Sequence, residues 1–224
     1  MADRSIFPPP DQADENGIVG VSHEIHPEML ADAYSHGIFP WPFGDGYDFI
    51  PWCAPLQRGV IPIEEFHVPS SFLRQMKKLD FSLRVDHDFP AVIKACAAAE
   101  RPDQDGTWIT TQIIESYCKF HEMGWAHSFE TYDSAGNLAG GLYGISVGRI
   151  FCGESMFFKV SGASKFAFVK MAEILKTLGV QLIDTQVVTN ATAAFGAREI
   201  PSKEYIRLLK KYRGKPLDFS AFQA

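Results

Sequence analysis

The sequence predicts an α+β fold: a mixed, partly antiparallel sheet with helices packed on it, preceded by a small N-terminal α/β unit. Three observations predict it. Leu138–Val147 and Arg149–Phe158 are apolar runs joined at Gly148, the pattern of a largely buried hairpin, and a helix and a third strand follow almost at once. From Ser70 onward the patterning reads helix, strand, helix, helix, then strand, strand, strand, helix, strand. Upstream, Phe49–Ile63 is apolar but broken at Pro51, Pro55 and Pro62, which predicts an edge strand and a boundary. Residues 1–62 are therefore expected to form the small domain and residues 63–224 the larger one.

The elements follow from local signals. Residues 1–14 are polar and proline-rich and read as an extended lead-in. Gly17–Val21 is a short strand, and Pro27 opens a helix to about His36, with Gly37 as its stop. The aromatic loop Gly37-Ile38-Phe39-Pro40-Trp41-Pro42-Phe43-Gly44 is kept out of regular structure by two prolines. Aromatic rings on so stiff a loop can stack on a base, or else clamp the neighbouring domain. Ser70–Lys78 is helical, Phe81–Val85 a strand and Phe89–Ala99 a helix, with Glu100–Gly106 a polar link. Thr110 is a good N-cap for a helix over Thr111–Met123, whose apolar side carries Ile113, Ile114, Tyr117 and Phe120. Ala126–Tyr132 alternates as a strand and turns at Ser134–Asn137. Past Gly162, Ala167, Met171, Ile174, Leu175 and Leu178 make one apolar helical stripe ending at Gly179, and Val180–Val188 is the last strand.

Two carboxylates stand in these apolar segments. Strand alternation puts Glu154 on a face with Ile150, Cys152 and Met156, and Asp184 on a face with Leu182 and Gln186. A carboxylate among hydrophobic neighbours is costly unless it is paired, capped by backbone N–H groups, or used. Two in adjacent elements, beside Leu142, Phe151, Met156 and Ile183, describe an apolar pocket with a few polar groups, the usual form of a small-molecule site.

Composition narrows the class. With 46% hydrophobic and 21% charged residues, the chain is globular. It has no apolar run of membrane-spanning length and no basic-then-apolar leader, so a cytoplasmic protein without a membrane span or signal peptide is expected. Cys53, Cys96, Cys118 and Cys152 are dispersed, which argues for reduced thiols rather than a disulfide framework or a thiolate metal site. The net charge of −6 opposes nucleic-acid binding as a whole, yet Arg74, Lys77 and Lys78 cluster, as do Lys203, Arg207, Lys210, Lys211, Arg213 and Lys215. Each cluster reads first as a solvated helix face and second as a phosphate contact. His121-Glu122 lacks the second histidine of a zinc-protease helix, and Gly153-Glu154-Ser155-Met156-Phe157 lacks the closing glycine of a nucleophile elbow. With no phosphate loop or dinucleotide fingerprint either, any chemistry is expected to run without metal, nucleoside triphosphate, cofactor or covalent nucleophile.

Several blocks together resemble one family. They are Asn16-Gly17 with Pro27-Glu28, Gly37-Ile38-Phe39-Pro40-Trp41, Gly106-Thr107-Trp108-Ile109-Thr110, Gly140-Gly141-Leu142-Tyr143-Gly144 and Gly153-Glu154-Ser155-Met156-Phe157. Further along stand Ala163-Ser164-Lys165, Leu182-Ile183-Asp184-Thr185-Gln186 and Gly196-Ala197-Arg198-Glu199-Ile200-Pro201. In this order they resemble the leucyl/phenylalanyl-tRNA–protein transferases over roughly residues 15–58 and 105–213. The chain departs from the family pattern at Ser22-His23-Glu24-Ile25, at Thr185, where a cysteine is customary, and at Ala191 and Ala194, where a histidine and a serine are.

The resemblance implies a GNAT-like (acetyltransferase-like) fold for the larger domain and a monomeric enzyme without cofactor. It implies transfer of Leu or Phe, less well Met, from aminoacyl-tRNA to the α-amine of proteins beginning with Arg or Lys, marking them for degradation. Trp41 and Trp108 would then meet the 3′-terminal adenosine, and Leu142, Phe151, Met156, Met171, Leu175 and Ile183 would hold the amino-acid side chain. Glu154, Asp184 and Gln186 would carry the chemistry, and Arg74, Lys77 and Lys78 would touch tRNA phosphates. On this expectation Asp184 holds Gln186 so that its carbonyl oxygen accepts a proton from the amine, and replacing Asp184 slows transfer without unsettling the fold. Glu154 would orient the adenosine or attract the cationic acceptor. The competing expectations are an acetyl-coenzyme A transferase of the same fold, disfavoured by the single glycine of Lys159-Val160-Ser161-Gly162-Ala163, and a binding protein without activity.

Overall fold

Turns and prolines decide which strands can pair. In the computed structural model, which describes residues 5–42, 48–99 and 107–223, the N-terminal segment forms β1 (Ile18–Ser22), α1 (Pro27–Ser35), β2 (Phe39–Pro40) and β3 (Ile50–Cys53). These strands make a small antiparallel sheet in the order β1-β3-β2. The aromatic loop thus contributes a short strand, with Phe39 opposite Cys53 and Pro40 opposite Trp52. Phe43 and Gly44 of that loop lie outside the described residues, as does the polar link Glu100–Gly106.

The rest of the chain adds β4 (Gln57–Pro62), α2 (Ser70–Met76), β5 (Ser82–Val85), α3 (Phe89–Ala97), α4 (Thr111–Glu122), β6 (Ala126–Tyr132), β7 (Leu138–Val147) and β8 (Ile150–Phe158). It closes with α5 (Ala163–Thr177), β9 (Leu182–Gln186), α6 (Asn190–Ala193), β10 (Arg198–Pro201) and α7 (Ser202–Tyr212). Seven strands form a mixed sheet in the order β10-β4-β9-β8-β7-β6-β5. Its pairs are antiparallel except β8 with β9, which α5 connects as a crossover. Thr110 caps α4 as expected, its hydroxyl accepting from the Ile113 amide at 3.4 Å.

The expected edge strand is an interior one. β4 lies between β9 and β10, because Pro55 precedes it and Pro62 ends it, leaving Gln57–Ile61 with every N–H free to pair. The large sheet therefore draws in residues 57–62. β10 and α6 have no signal of their own: four residues each, they are too short for a periodicity.

Both faces of the large sheet are covered. On one, α1, α3, α4 and α7 and the small sheet share a core that includes Tyr34, Ile93, Tyr117, Ile145 and Tyr205. On the other, α2 and α5 pack with Phe129, Leu142, Phe151 and Ile183. Strand β8 changes sides within its length. The register passes from Gly144↔Gly153 to Tyr143↔Ser155, so Glu154 is a bulge residue. Ile150 and Cys152 face the first core, but past the bulge Met156 faces the second and Phe157 the first. The expected shared face of Ile150, Cys152, Glu154 and Met156 is broken there. Gly144 makes the turn of register possible, since a Cβ would strike the Cys152 carbonyl and the Phe151 ring. Gly144→Ala should destabilise the fold by about 1–3 kcal/mol by overpacking, read as a lower urea midpoint; an unchanged midpoint would refute this account.

Candidate active site

The parallel ladder of β8 and β9 pairs Ile150 with Leu182, Phe151 with Ile183 and Cys152 with Asp184, and goes no further. Beyond it the strands separate, Glu154 being a bulge on one and Thr185 the skipped residue on the other, between Gly59↔Gln186 and Val60↔Asp184. The separation opens a cavity of about 340 Å³ at the carboxyl ends of the parallel pair. Trp41 and Trp108 line one part of it and Leu142, Met156, Met171 and Ile183 another, with Glu154 and Gln186 between neighbouring strands.

Asp184 is held behind the cavity by Arg58, a residue with no signal in the linear pattern. Arg58 Nε and Nη2 donate to Asp184 Oδ1 and Oδ2 at 2.8 and 2.6 Å, and both side chains are almost wholly buried. The guanidinium lies between the rings of Phe39 and Tyr205, 4.6 and 4.4 Å from their centroids, and Nη1 donates to the Gly37 carbonyl at 3.1 Å. Burial alone would lower the Arg58 pKa, but Asp184 more than reverses this, so the guanidinium stays charged. Tyr205 adds a hydroxyl donor to Oδ2 at 2.7 Å.

Asp184 holds Gln186 through its backbone. Oδ1 accepts the Gln186 N–H at 2.9 Å, fixing that residue at φ +55°. This left-handed conformation is unusual for a side chain other than glycine, and such strain is kept where surrounding structure over-determines it. From there Gln186 Nε2 donates to Glu154 Oε1 at 2.9 Å.

Burial favours the protonated form of Glu154. Desolvation, helped by nearby Asp184, pushes its pKa up to about 8 against the lowering influence of Tyr34, Arg58 and Tyr117. Tyr117 donates to Oε2 at 3.5 Å, the edge of hydrogen-bonding range, and the Tyr34 and Tyr117 hydroxyls lie 2.6 Å apart. Burial raises both phenol pKa values, so they remain donors.

Of the expected site residues, Trp41, Trp108, Leu142, Met156, Met171, Ile183, Glu154 and Gln186 line one cavity. Phe151 and Leu175 do not reach it; both are fully buried in the core behind the wall. Arg74, Lys77 and Lys78 stand apart as exposed side chains on and just after α2. The sequence reading missed Phe39, Tyr143, Phe168, Thr189 and Thr192 in the wall, and Arg58, Tyr34 and Tyr205 around the carboxylates.

Family models described as leucyl/phenylalanyl-tRNA protein transferase and its N-terminal domain match residues 60–210 and 23–56. The chain belongs to this family. A relative from Nitrosospira multiformis carrying the family name is 45% identical over 213 residues, covering 94% of this chain and 90% of its own. Another from Chromobacterium violaceum is 44% identical over 208 residues, covering 92% and 88%. Among solved structures, a tandem GNAT protein from the clavulanic acid biosynthesis pathway matches 85% of this chain and 62% of its own at 14% identity, with a TM-score of 0.36. Membership of the transferase family makes the chain an aminoacyltransferase.

The buried pair makes Asp184 a stability residue, contrary to the expectation that its loss leaves the fold undisturbed. Arg58→Leu should cost about 3–5 kcal/mol in urea unfolding, because the Asp184 carboxylate would remain buried without its cation, and Arg58→Leu with Asp184→Leu should recover much of that. Additive losses would refute the coupling. A raised folded-state pKa at Glu154 means that its stability contribution is full below about 4.5 and is lost as pH rises towards about 8. Glu154→Gln should therefore gain melting temperature relative to the parent between pH 4.5 and 8.5; a gap independent of pH would refute the neutral acid.

Proposed function

We propose that the chain transfers Leu or Phe, less well Met, from aminoacyl-tRNA to the α-amine of proteins beginning with Arg or Lys, as a cytoplasmic monomer whose products are marked for degradation. The observation that carries this reading is that two tryptophans, a set of apolar side chains and the Gln186–Glu154 pair line one cavity. Trp41 and Trp108 stack on the terminal adenosine, and Leu142, Met156, Met171 and Ile183 enclose the side chain of the donor. Arg74, Lys77 and Lys78 contact phosphates further along the tRNA.

The aminoacyl ester is already activated, so amide formation needs no other energy source. An α-amine with pKa about 8 is roughly one-tenth neutral near pH 7, which makes positioning more valuable than a strong base. The amine attacks the ester carbonyl carbon; the C–N bond forms, the C–O bond to the ribose breaks, and the proton lost by the amine ends on the ribose oxygen. With Gln186 Nε2 engaged by Glu154, its carbonyl oxygen is left to accept the amine's proton on the way. Asp184 is a positioning residue, acting through the Gln186 backbone. Glu154 orients Gln186 and, on releasing its proton to solvent, attracts the acceptor's cationic side chain.

Purified chain given Leu-tRNA and a peptide beginning with Arg should form the extended peptide without ATP, metal or coenzyme A, and an α-acetylated peptide should be inert. Gln186→Ala should lower kcat at least ~100-fold, the scale of a positioned proton-transfer group. Acetyl transfer from acetyl-coenzyme A, with no product from any aminoacyl-tRNA, would overturn the reading.

A further inference from the structure

A second cavity, of about 650 Å³, adjoins the first and shares Met156, Phe168, Ala191 and Thr192 with it. Its walls are of two kinds. One is apolar and aromatic, including Ala98, Phe157, Phe158 and Phe195; the other is the start of α5 with Lys159, Ser164 and Lys165. No carboxylate lines it among the described residues.

The polar wall has unspent capacity. Helix α5 has 15 residues and begins after Gly162, which offers no side-chain cap, so the Ser164 and Lys165 amides stand at an open positive helix end. Ser164 is only 6% exposed and lines the cavity, yet its hydroxyl has no hydrogen-bond partner among the described residues. The Ser164 hydroxyl and the first amides of α5 thus keep hydrogen-bonding capacity on the cavity side. Lys159 and Lys165 are exposed and make no ion pair among the described residues; the Lys165 ammonium sits 5.8 Å over the Phe72 ring. Phe72, Gln75 and Leu79, from α2 and the residues after it, crowd Gly162, so the cluster of Arg74, Lys77 and Lys78 flanks the same corner. The φ of +89° at Gly162, where α5 meets the end of α2, is the left-handed conformation that favours glycine.

We propose that the N-terminus of α5, with Ser164, Lys165 and Lys159, binds a backbone phosphate of the nucleotides that precede the terminal adenosine of the donor tRNA, with a base against the aromatic wall. The inference rests on the aminoacyl-tRNA reading and extends it, since it supplies a path from the first cavity to α2. A helix N-terminus, a hydroxyl and two lysines match a phosphodiester, and flat aromatic surface matches the base beside it. An acceptor protein with a cationic first residue is the poorer fit, because two lysines would repel it.

The test uses two donors, Leu-tRNA and a leucyl ester of adenosine that carries no phosphate. Lys165→Ala should raise KM for Leu-tRNA about tenfold, the scale of one lost charge-assisted contact, with kcat little changed. The preference for Leu-tRNA over the adenosine ester should fall by the same factor, the slope of log KM against log salt should flatten by about 0.7, and Lys165→Arg should restore most of the loss. Binding of an uncharged oligonucleotide with the tRNA 3′ end, which needs no chemistry, should weaken in parallel. An unchanged KM for Leu-tRNA, or a rise in KM for the acceptor peptide instead, would overturn the inference while leaving the transferase reading intact. A parent protein that transfers leucine from neither donor but binds the oligonucleotide through Lys165 would overturn that reading and support the site.

Discussion

One buried ion pair organises the centre of the molecule. Arg58 and Asp184 lie on adjacent antiparallel strands, and each reaches further than its partner. The guanidinium clamps the Gly37 carbonyl and is enclosed by Phe39 and Tyr205, which ties the aromatic loop and α7 to the sheet. The carboxylate takes the Gln186 amide, which fixes the backbone of the residue on the cavity side. An isolated charge at this depth would be ruinous. A pair whose oxygens accept from a guanidinium, a phenol and a backbone amide is stable, and it is rigid for the same reason.

That rigidity explains where the cavity is. Strands β8 and β9 run parallel only as far as Cys152 and Asp184, and each then carries an irregularity, so the ladder cannot close. The unpaired length between them is taken up by side chains, of which Glu154 and Gln186 meet each other. Pinned on one side by Asp184 and on the other by two tyrosines, the pair presents a neutral acid and an amide inside an apolar wall. Such a site excludes water and leaves the amide carbonyl free, which suits aminolysis of an ester that water would otherwise hydrolyse.

Much of this was legible in the sequence. The elements from α2 to β9 lie within a few residues of their expected ends, because each has a strong period, a cap or a glycine stop. Thr110, Gly162 and Gly179 are clear cases. Where no period can exist the reading failed: β2 and β10, of two and four residues, owe their conformation to the strands they pair with, and α6 is a single turn closed by the Thr189 and Thr192 side chains. Prolines misled it at β4, since proline forbids pairing only where it stands.

By itself the sequence determined the α+β class, the family, and the residue types at the site, because periodicity and contiguous motifs are properties of neighbours in the chain. Eight expected residues line one cavity for that reason. Tertiary structure alone decided the contacts of these residues. Arg58 lies 126 residues from Asp184, and no local pattern links them. The bulge at Glu154 turns Met156 to the face that Phe151 and Leu142 already share, and Met156 there joins the cavity wall. The raised pKa of Glu154 comes first from burial, which the folded structure alone supplies. Pairing across the sheet, and the dielectric it creates, exist only once distant segments have met.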